Sequence, residues 1–236
     1  MNKLMKKAFT LAEVLLVVGI IGMVSALTIP NLKNNIDEDT NIAKLKATYG
    51  QLEAAIAAVV ADYGSKKDAE DSCASGTTLV CFNNLLTSKL DLKLNCQNSN
   101  MSRCYTSEHV KDVDNSDVPD ANHGYDMCSY AFILSNGAAV CYRDDHQGKF
   151  DVDVNGPKKG PNRRGIDIFT LAFDNSTHEY ICAEDFYCPH DNLITRRGND
   201  SFEDEYDTTA WAMTYENMDY IRCMGSLKWH SKTTCD

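Results

Sequence analysis

The sequence predicts an α+β protein. A long N-terminal helix, apolar in its first half and amphipathic in its second, packs on an antiparallel sheet inside a disulfide-rich head. Three observations predict it. Residues 9–29 form an apolar run of 21 residues with Glu13 as its only charge. From Ile42 to Tyr63, apolar residues recur at helical spacing. The second half of the chain alternates apolar and polar residues around turn signals, and all ten cysteines fall between Cys73 and Cys235.

The apolar run comes first. At a rise of about 1.5 Å per residue it reaches roughly 31 Å, the thickness of a bilayer's hydrocarbon core. Lys3, Lys6 and Lys7 precede it, which keeps the short N-terminus cytoplasmic and exports the bulk. Three readings compete. A secretory signal would use Val14–Met23 as its apolar region and "VSA", ending at Ala26, as its cleavage site. A plain anchor would stay uncut. A third kind of leader is cut before the apolar run, between Ala8 and Phe9. Glu13 favours the third. A carboxylate inside a membrane helix costs on the order of 2.5–3.5 kcal/mol. The cut would free an ammonium at Phe9, about 6 Å of helix rise from Glu13. The two charges then neutralise each other, within one subunit or between neighbours.

The residues "KKAFTLAEVLLVVGIIGMVSALTIP" resemble the N-terminal cleavage and methylation motif of type IV pilins and type II secretion pseudopilins. Lys6, Lys7, Ala8, Phe9, Thr10, Leu11 and Glu13 carry the match. Pro30 falls where many pilins have a helix-kinking proline. Ala8 departs from the glycine usual before the cut. The layout from "SNG" through "DVNGPKKGPNRRGIDIFTLAF" to "TAWAMTYENMDYIRC" more loosely resembles the heads of some prepilin-like proteins.

The resemblance implies a pilin-like fold with four parts. These are a leader at 1–8, a transmembrane and assembly helix at 9–29, its amphipathic continuation at 30–64 and an exported globular head at 65–236. It implies a prepilin peptidase that cuts after Ala8 and methylates Phe9, with Glu13 as determinant of assembly and methylation. The function implied is that of a structural subunit, major or minor, of a type IV pilus or type II secretion-like filament. Its partners would be other pilin-like subunits through the N-terminal helix, the peptidase and the inner membrane. The head would be periplasmic, or extracellular after assembly.

Beyond Pro30, Ile42, Leu45, Tyr49, Leu52, Ile56, Val59 and Tyr63 form one stripe. Asp39 or Thr40 is a candidate cap at its start and Gly64 a candidate stop. From Ser65 to Ser129 the chain is polar, and only "FNNLLTSKLDLKL" reads as a regular element, a short helix. "CSYAFILSNGAAVCYR" is a hairpin around Asn136-Gly137. "KFDVDVNG" reads as a half-buried strand, "IDIFTLAF" as another, and "HEYIC" as a third after the turn "DNST". A sheet of about four strands has an apolar face that the stripe covers. Trp211, Tyr215, Tyr220 and Trp229 read as core packing.

Ten cysteines in one exported region predict disulfides. The candidates are Cys73, Cys81, Cys96, Cys104, Cys128, Cys141, Cys182, Cys188, Cys223 and Cys235. Spacing alone leaves the connectivity open. The rival use is a zinc site at Cys182, Cys188 and His190, without any C-x-x-C pair to support it.

Charge argues against nucleic acid. The chain carries 23 basic and 34 acidic residues, a formal net charge of -11, which repels phosphate. "KKGPNRR", the one dense basic stretch, reads as a solvated turn. Asp151, Asp153, Asn155 and Gly156 fit the D-x-D-x-N-G opening of many calcium loops, with Asp167 as a distal carboxylate. An acid is missing at the twelfth place, where Asn162 stands. The competing reading makes Asp151 and Asp153 solvent-facing strand residues before a turn. No cofactor other than calcium is indicated. None of the six histidines sits in a nucleophile motif, so no catalysis is expected. The alternative to a filament subunit is a membrane-anchored, adhesin-like binding module. A secreted enzyme would require cleavage after Ala26 and a catalytic cluster in the fold.

Overall fold

The computed structural model describes residues 10–74, 76–118, 124–144, 148–173, 181–182 and 207–235, with the backbone course alone for 29–36. The chain divides after Glu38 into two units. It is α+β, with an N-terminal apolar helix and one antiparallel sheet. Five α-helices are described: α1 (Leu11–Tyr63), α2 (Lys66–Asp71), α3 (Thr78–Thr87), α4 (Asp207–Tyr215) and α5 (Tyr220–Cys223). Six strands follow one another as β1 (Leu92–Gln97), β2 (Tyr130–Leu134), β3 (Ala139–Arg143), β4 (Lys149–Asp153), β5 (Ile168–Phe173) and β6 (Ile181–Cys182).

In the first unit, α1 starts from a Thr10 cap and its large apolar side chains from Leu11 to Leu27 are exposed. The helical course continues through Pro30. Asp39 and Thr40 therefore cap nothing, because no helix begins there. The helix ends where Gly64 takes a φ of +97° and donates its N–H to Val60, a conformation that favours glycine.

In the second unit, Ile42, Leu45, Tyr49, Leu52, Ile56 and Val59 enter the core, and Leu45 and Leu52 are fully buried. Tyr63, the last member of the predicted stripe, stands out at 39% exposure. Burying each such Leu or Ile contributes about 1.5–3 kcal/mol. Polar contacts fix the helix's rotation. Asn136 donates to Thr48 (3.2 Å), Asn41 donates to the carbonyl of Ile166 (3.0 Å), and Lys46 pairs with Glu216.

The sheet is a meander in the order β1 to β6 with every neighbouring pair antiparallel. It has six strands, more than the four expected. The segment expected as one helix, "FNNLLTSKLDLKL", divides. Helix α3 ends at Thr87, whose hydroxyl donates to Asn83 (2.7 Å), and Leu92 starts β1. The tight turn at Asn136-Gly137 forms as predicted, with Gly137 at φ +90° and the Ala138 N–H donating to the Asn136 side chain (2.9 Å).

Strand periodicity sorts the residues onto two faces. Tyr130, Phe132, Leu134, Val140, Tyr142, Phe150, Val152, Phe169, Leu171 and Phe173 share the core cluster with α1. The opposite face is covered too. Ala131, Ile133, Ala139 and Cys141 pack with Cys96 near the end of β1 and with Cys104, Tyr105 and Cys128 from the polar segment between β1 and β2. This second layer overturns the expectation of a half-buried β4 with solvent-facing aspartates: Asp151 is 1% and Asp153 0% exposed.

Four disulfides join Cys73–Cys81, Cys96–Cys104, Cys128–Cys141 and Cys223–Cys235. Each closes a loop of 8 to 13 residues, and such a link contributes about 2–3 kcal/mol by restricting the unfolded chain. Cys182 is disulfide-bonded as well, which removes it as a thiolate for zinc. Cys188 and His190 lie outside the described residues, as does the expected "DNST" turn.

The C-terminal segment closes the core. Trp211 meets Trp229 edge-on at 4.8 Å between ring centres, and its indole N–H donates to Asn217 (3.0 Å). Trp211 and Tyr220 are fully buried and Trp229 is 8% exposed. The four aromatic residues thus pack as predicted, with Tyr215 half-buried against both tryptophans. Among the described residues, strand β6 pairs with Ala172 and Phe173. Beyond it, the Thr170 N–H donates to the Thr209 hydroxyl on α4 (3.1 Å), so a side chain completes the ladder.

Candidate functional site

Two regions carry chemistry. The first is the start of α1. Glu13 accepts from the Thr10 backbone N–H (2.8 Å) and hydroxyl (2.8 Å), while the Glu13 N–H donates back to the hydroxyl (3.2 Å). This is a capping box, in which an N-cap threonine and an acid three residues later satisfy each other. The motif reading gave Glu13 a partner only after cleavage, and Thr10 supplies one already. The T-x-x-E spacing was the signal for it. Ala8 and Phe9 lie outside the described residues. From Leu11 to Thr28 the helix has 18 residues, about 27 Å. It is long and apolar enough to cross a membrane as an anchor or to serve as a signal sequence.

The second region lies where β4 runs into β5. The β4 pattern puts Asp151 and Asp153 on the sheet face away from α1. They then diverge. Asp151 accepts from the Thr170 hydroxyl (2.7 Å) and sits 3.4 Å from the Arg143 guanidinium. Asp153 turns into the following loop, where one oxygen accepts the N–H groups of Asn155 (3.1 Å) and Gly156 (2.9 Å). Gly156 is required there. Its φ is +90°, and a Cβ would stand 2.9 Å from the Gly137 carbonyl.

Asp167 is the loop's other anchor. It is fully buried and accepts the Asn155 side-chain amide (3.0 Å), the Asn162 N–H (2.9 Å) and the Arg163 N–H (2.7 Å). The structure thus brings Asp153, Asn155 and Asp167 together as the motif implied. It assigns Asp151 to Arg143 and Thr170 instead. It adds Asn162, which the sequence presented only as a missing acid.

Burial dominates the electrostatics. It pushes the Asp153 carboxyl up to about 7, with the Asp167 charge adding to the rise, and the Gly156 and Asn155 N–H groups and Lys44 opposing it. Burial also raises Asp167, against the hydrogen bonds from Arg163, Asn162 and Asn155. Tyr105 is raised well above its ordinary value, first by burial and then by Asp151 and Asp153. Its hydroxyl is buried and has no hydrogen-bond partner among the described residues.

The "KKGPNRR" stretch is the expected solvated turn only from Lys158 to Pro161, which are exposed; Asn162 is buried and Arg163 and Arg164 are half-buried. Arg163 donates to the carbonyls of Asp112 and Val113, and Arg164 lies 4.0 Å from the Asp112 carboxylate. The backbones of residues 111 and 162–164 also exchange hydrogen bonds. Both arginines are thereby committed to holding the segment after Val110.

Among the described residues, no three His, Cys, Asp or Glu side chains converge as a metal cluster. No family model, curated protein or solved structure matches the chain.

Proposed function

We propose that this chain is a pilin-like or pseudopilin-like structural subunit. It waits in the inner membrane with its N-terminus cytoplasmic and joins a filament through the apolar start of α1. One observation carries the reading: an 18-residue apolar helix, exposed along its whole length, with an acid in its first turn. Such a surface requires lipid or other apolar helices around it. The "KKAFTLAE" motif selects a prepilin peptidase as the processing partner. In that scheme, cleavage after Ala8 adds a charged amine to the same turn as Glu13. The acid then has two sources of compensation, the Thr10 cap and an ammonium of its own or a neighbouring subunit. A buried pair of this kind sets register more than it adds stability. The reading assigns the head no catalytic step and no nucleic-acid partner, and it places the oxidised cysteines outside the cytoplasm.

Mass spectrometry of the mature N-terminus tests it. N-methylated Phe9 is the expected start. A mature chain beginning at Leu27 would make it a secreted protein, and an intact Met1 a plain anchor. The adhesin-like alternative keeps the anchor but needs no assembly. It is favoured if the chain starts at Met1 and never co-purifies with filaments.

A further inference from the structure

The loop between β4 and β5 holds more oxygen than it uses. Asp153 is 0% and Asn162 3% exposed. One Asp153 oxygen, the Asn155 side-chain oxygen and the Asn162 side-chain oxygen are all buried without a hydrogen-bond partner among the described residues. The amide orientations are enforced. The Asn155 NH2 donates to the Gly160 carbonyl (3.2 Å) and to Asp167 (3.0 Å), and the Asn162 NH2 donates to Glu108 (3.0 Å). All three partners are acceptors, so turning either amide would set oxygen against oxygen. The free atoms are therefore oxygens. Leaving a buried acceptor unsatisfied costs about 1–3 kcal/mol each, and natural structures rarely tolerate three in one loop.

We infer that the loop from Asp153 to Asp167 is a binding site for one hard divalent cation, calcium by size and ligand class, held by Asp153, Asn155, Asn162 and Asp167. The donors are all oxygen, carboxylate and amide, without nitrogen or sulfur. That chemistry suits calcium and not a transition metal. Magnesium demands near-ideal octahedral geometry, which a loop already fixed by hydrogen bonds to Asp153 and Asp167 does not offer. With only two carboxylates, the site belongs with weak extracellular sites, whose dissociation constants are about 0.1–1 mM. Asn162 occupies the twelfth place as a neutral ligand. The inference is independent of filament assembly and holds for a secreted or an anchored chain alike.

The test uses the full chain in detergent, stripped with a calcium chelator. Titration calorimetry with calcium chloride is expected to show one ion per chain, with magnesium at least about tenfold weaker. Asp153→Asn and Asn162→Ala, each checked for native near-UV dichroism, are expected to weaken binding at least about tenfold, while Asp114→Asn on the exposed surface changes nothing. Hydrogen exchange on the wild-type chain keeps the test decisive if those variants do not fold. Calcium should slow exchange at the N–H groups of Asn155, Gly156, Asn162 and Arg163. No binding at millimolar calcium, or binding that leaves those four amides unchanged, overturns the site. In that event the free oxygens are met by water or by a proton shared between the two aspartates.

Discussion

Without a cation, Asp153 should make the fold less stable as pH rises. Its carboxyl is pushed up to about 7 by burial and by Asp167, against about 3.9 in an unfolded chain. A group raised in this way binds a proton more readily when folded. Its contribution is fully present below pH 4 and is lost as pH climbs through 7. Between pH 5 and pH 8 the difference works out at about 2–3 kcal/mol from this residue alone. Asp167 is shifted in the same direction and adds to it. Lys44 opposes the rise at Asp153. The perturbation is Asp153→Asn, a neutral side chain of the same shape. Urea unfolding of the oxidised, chelator-treated chain at pH 5 and pH 8 measures both proteins. The wild type should lose about 2–3 kcal/mol more than the variant over that interval. Saturating calcium should abolish the wild-type loss, because the ion takes the proton's place. Equal pH dependence in the two proteins would refute the idea that Asp153 is a buried, cation-starved carboxylate.

Two further outcomes are expected. Leu52→Ala, at a fully buried position of the helix stripe, should cost about 2–5 kcal/mol in chemical denaturation, while the same change at exposed Leu16 should leave the head's unfolding midpoint unmoved. At the N-terminus, Thr10→Val removes the hydroxyl of the capping box but keeps the Glu13 charge, whereas Glu13→Gln keeps a capping acceptor and removes the charge. If charge neutralisation between subunits drives assembly, filament yield falls strongly for Glu13→Gln and little for Thr10→Val. The reverse order would reduce Glu13 to a helix cap.

Much of this architecture was legible because its signals are local. The stripe from Ile42 to Val59 is periodic, and Asn136-Gly137 names its own turn. Cysteine pairs 8 to 13 residues apart need no long excursion to meet. Strand β1 was hidden because its partner lies in β2, beyond the polar segment, and nothing in "KLDLKL" announces a pairing that distant. The same distance explains the aspartates. Alternation in "KFDVDV" is the ordinary mark of a strand with one wet face, and it holds here in register. What it cannot reveal is that Cys104, Tyr105 and Cys128, from a stretch poor in apolar side chains and tied by Cys96–Cys104 and Cys128–Cys141, pack over the wet face.

That cover changes the meaning of the loop. In water, Asp153 and Asp167 would be unremarkable turn residues, and Asn162 a missing ligand. Beneath Tyr105 and the disulfide layer, the same oxygens lose their solvent, and burying a charge without a partner is costly. The spacing of the motif could be read from the sequence. The argument for an ion comes from the burial, and burial is a property of residues far from the motif.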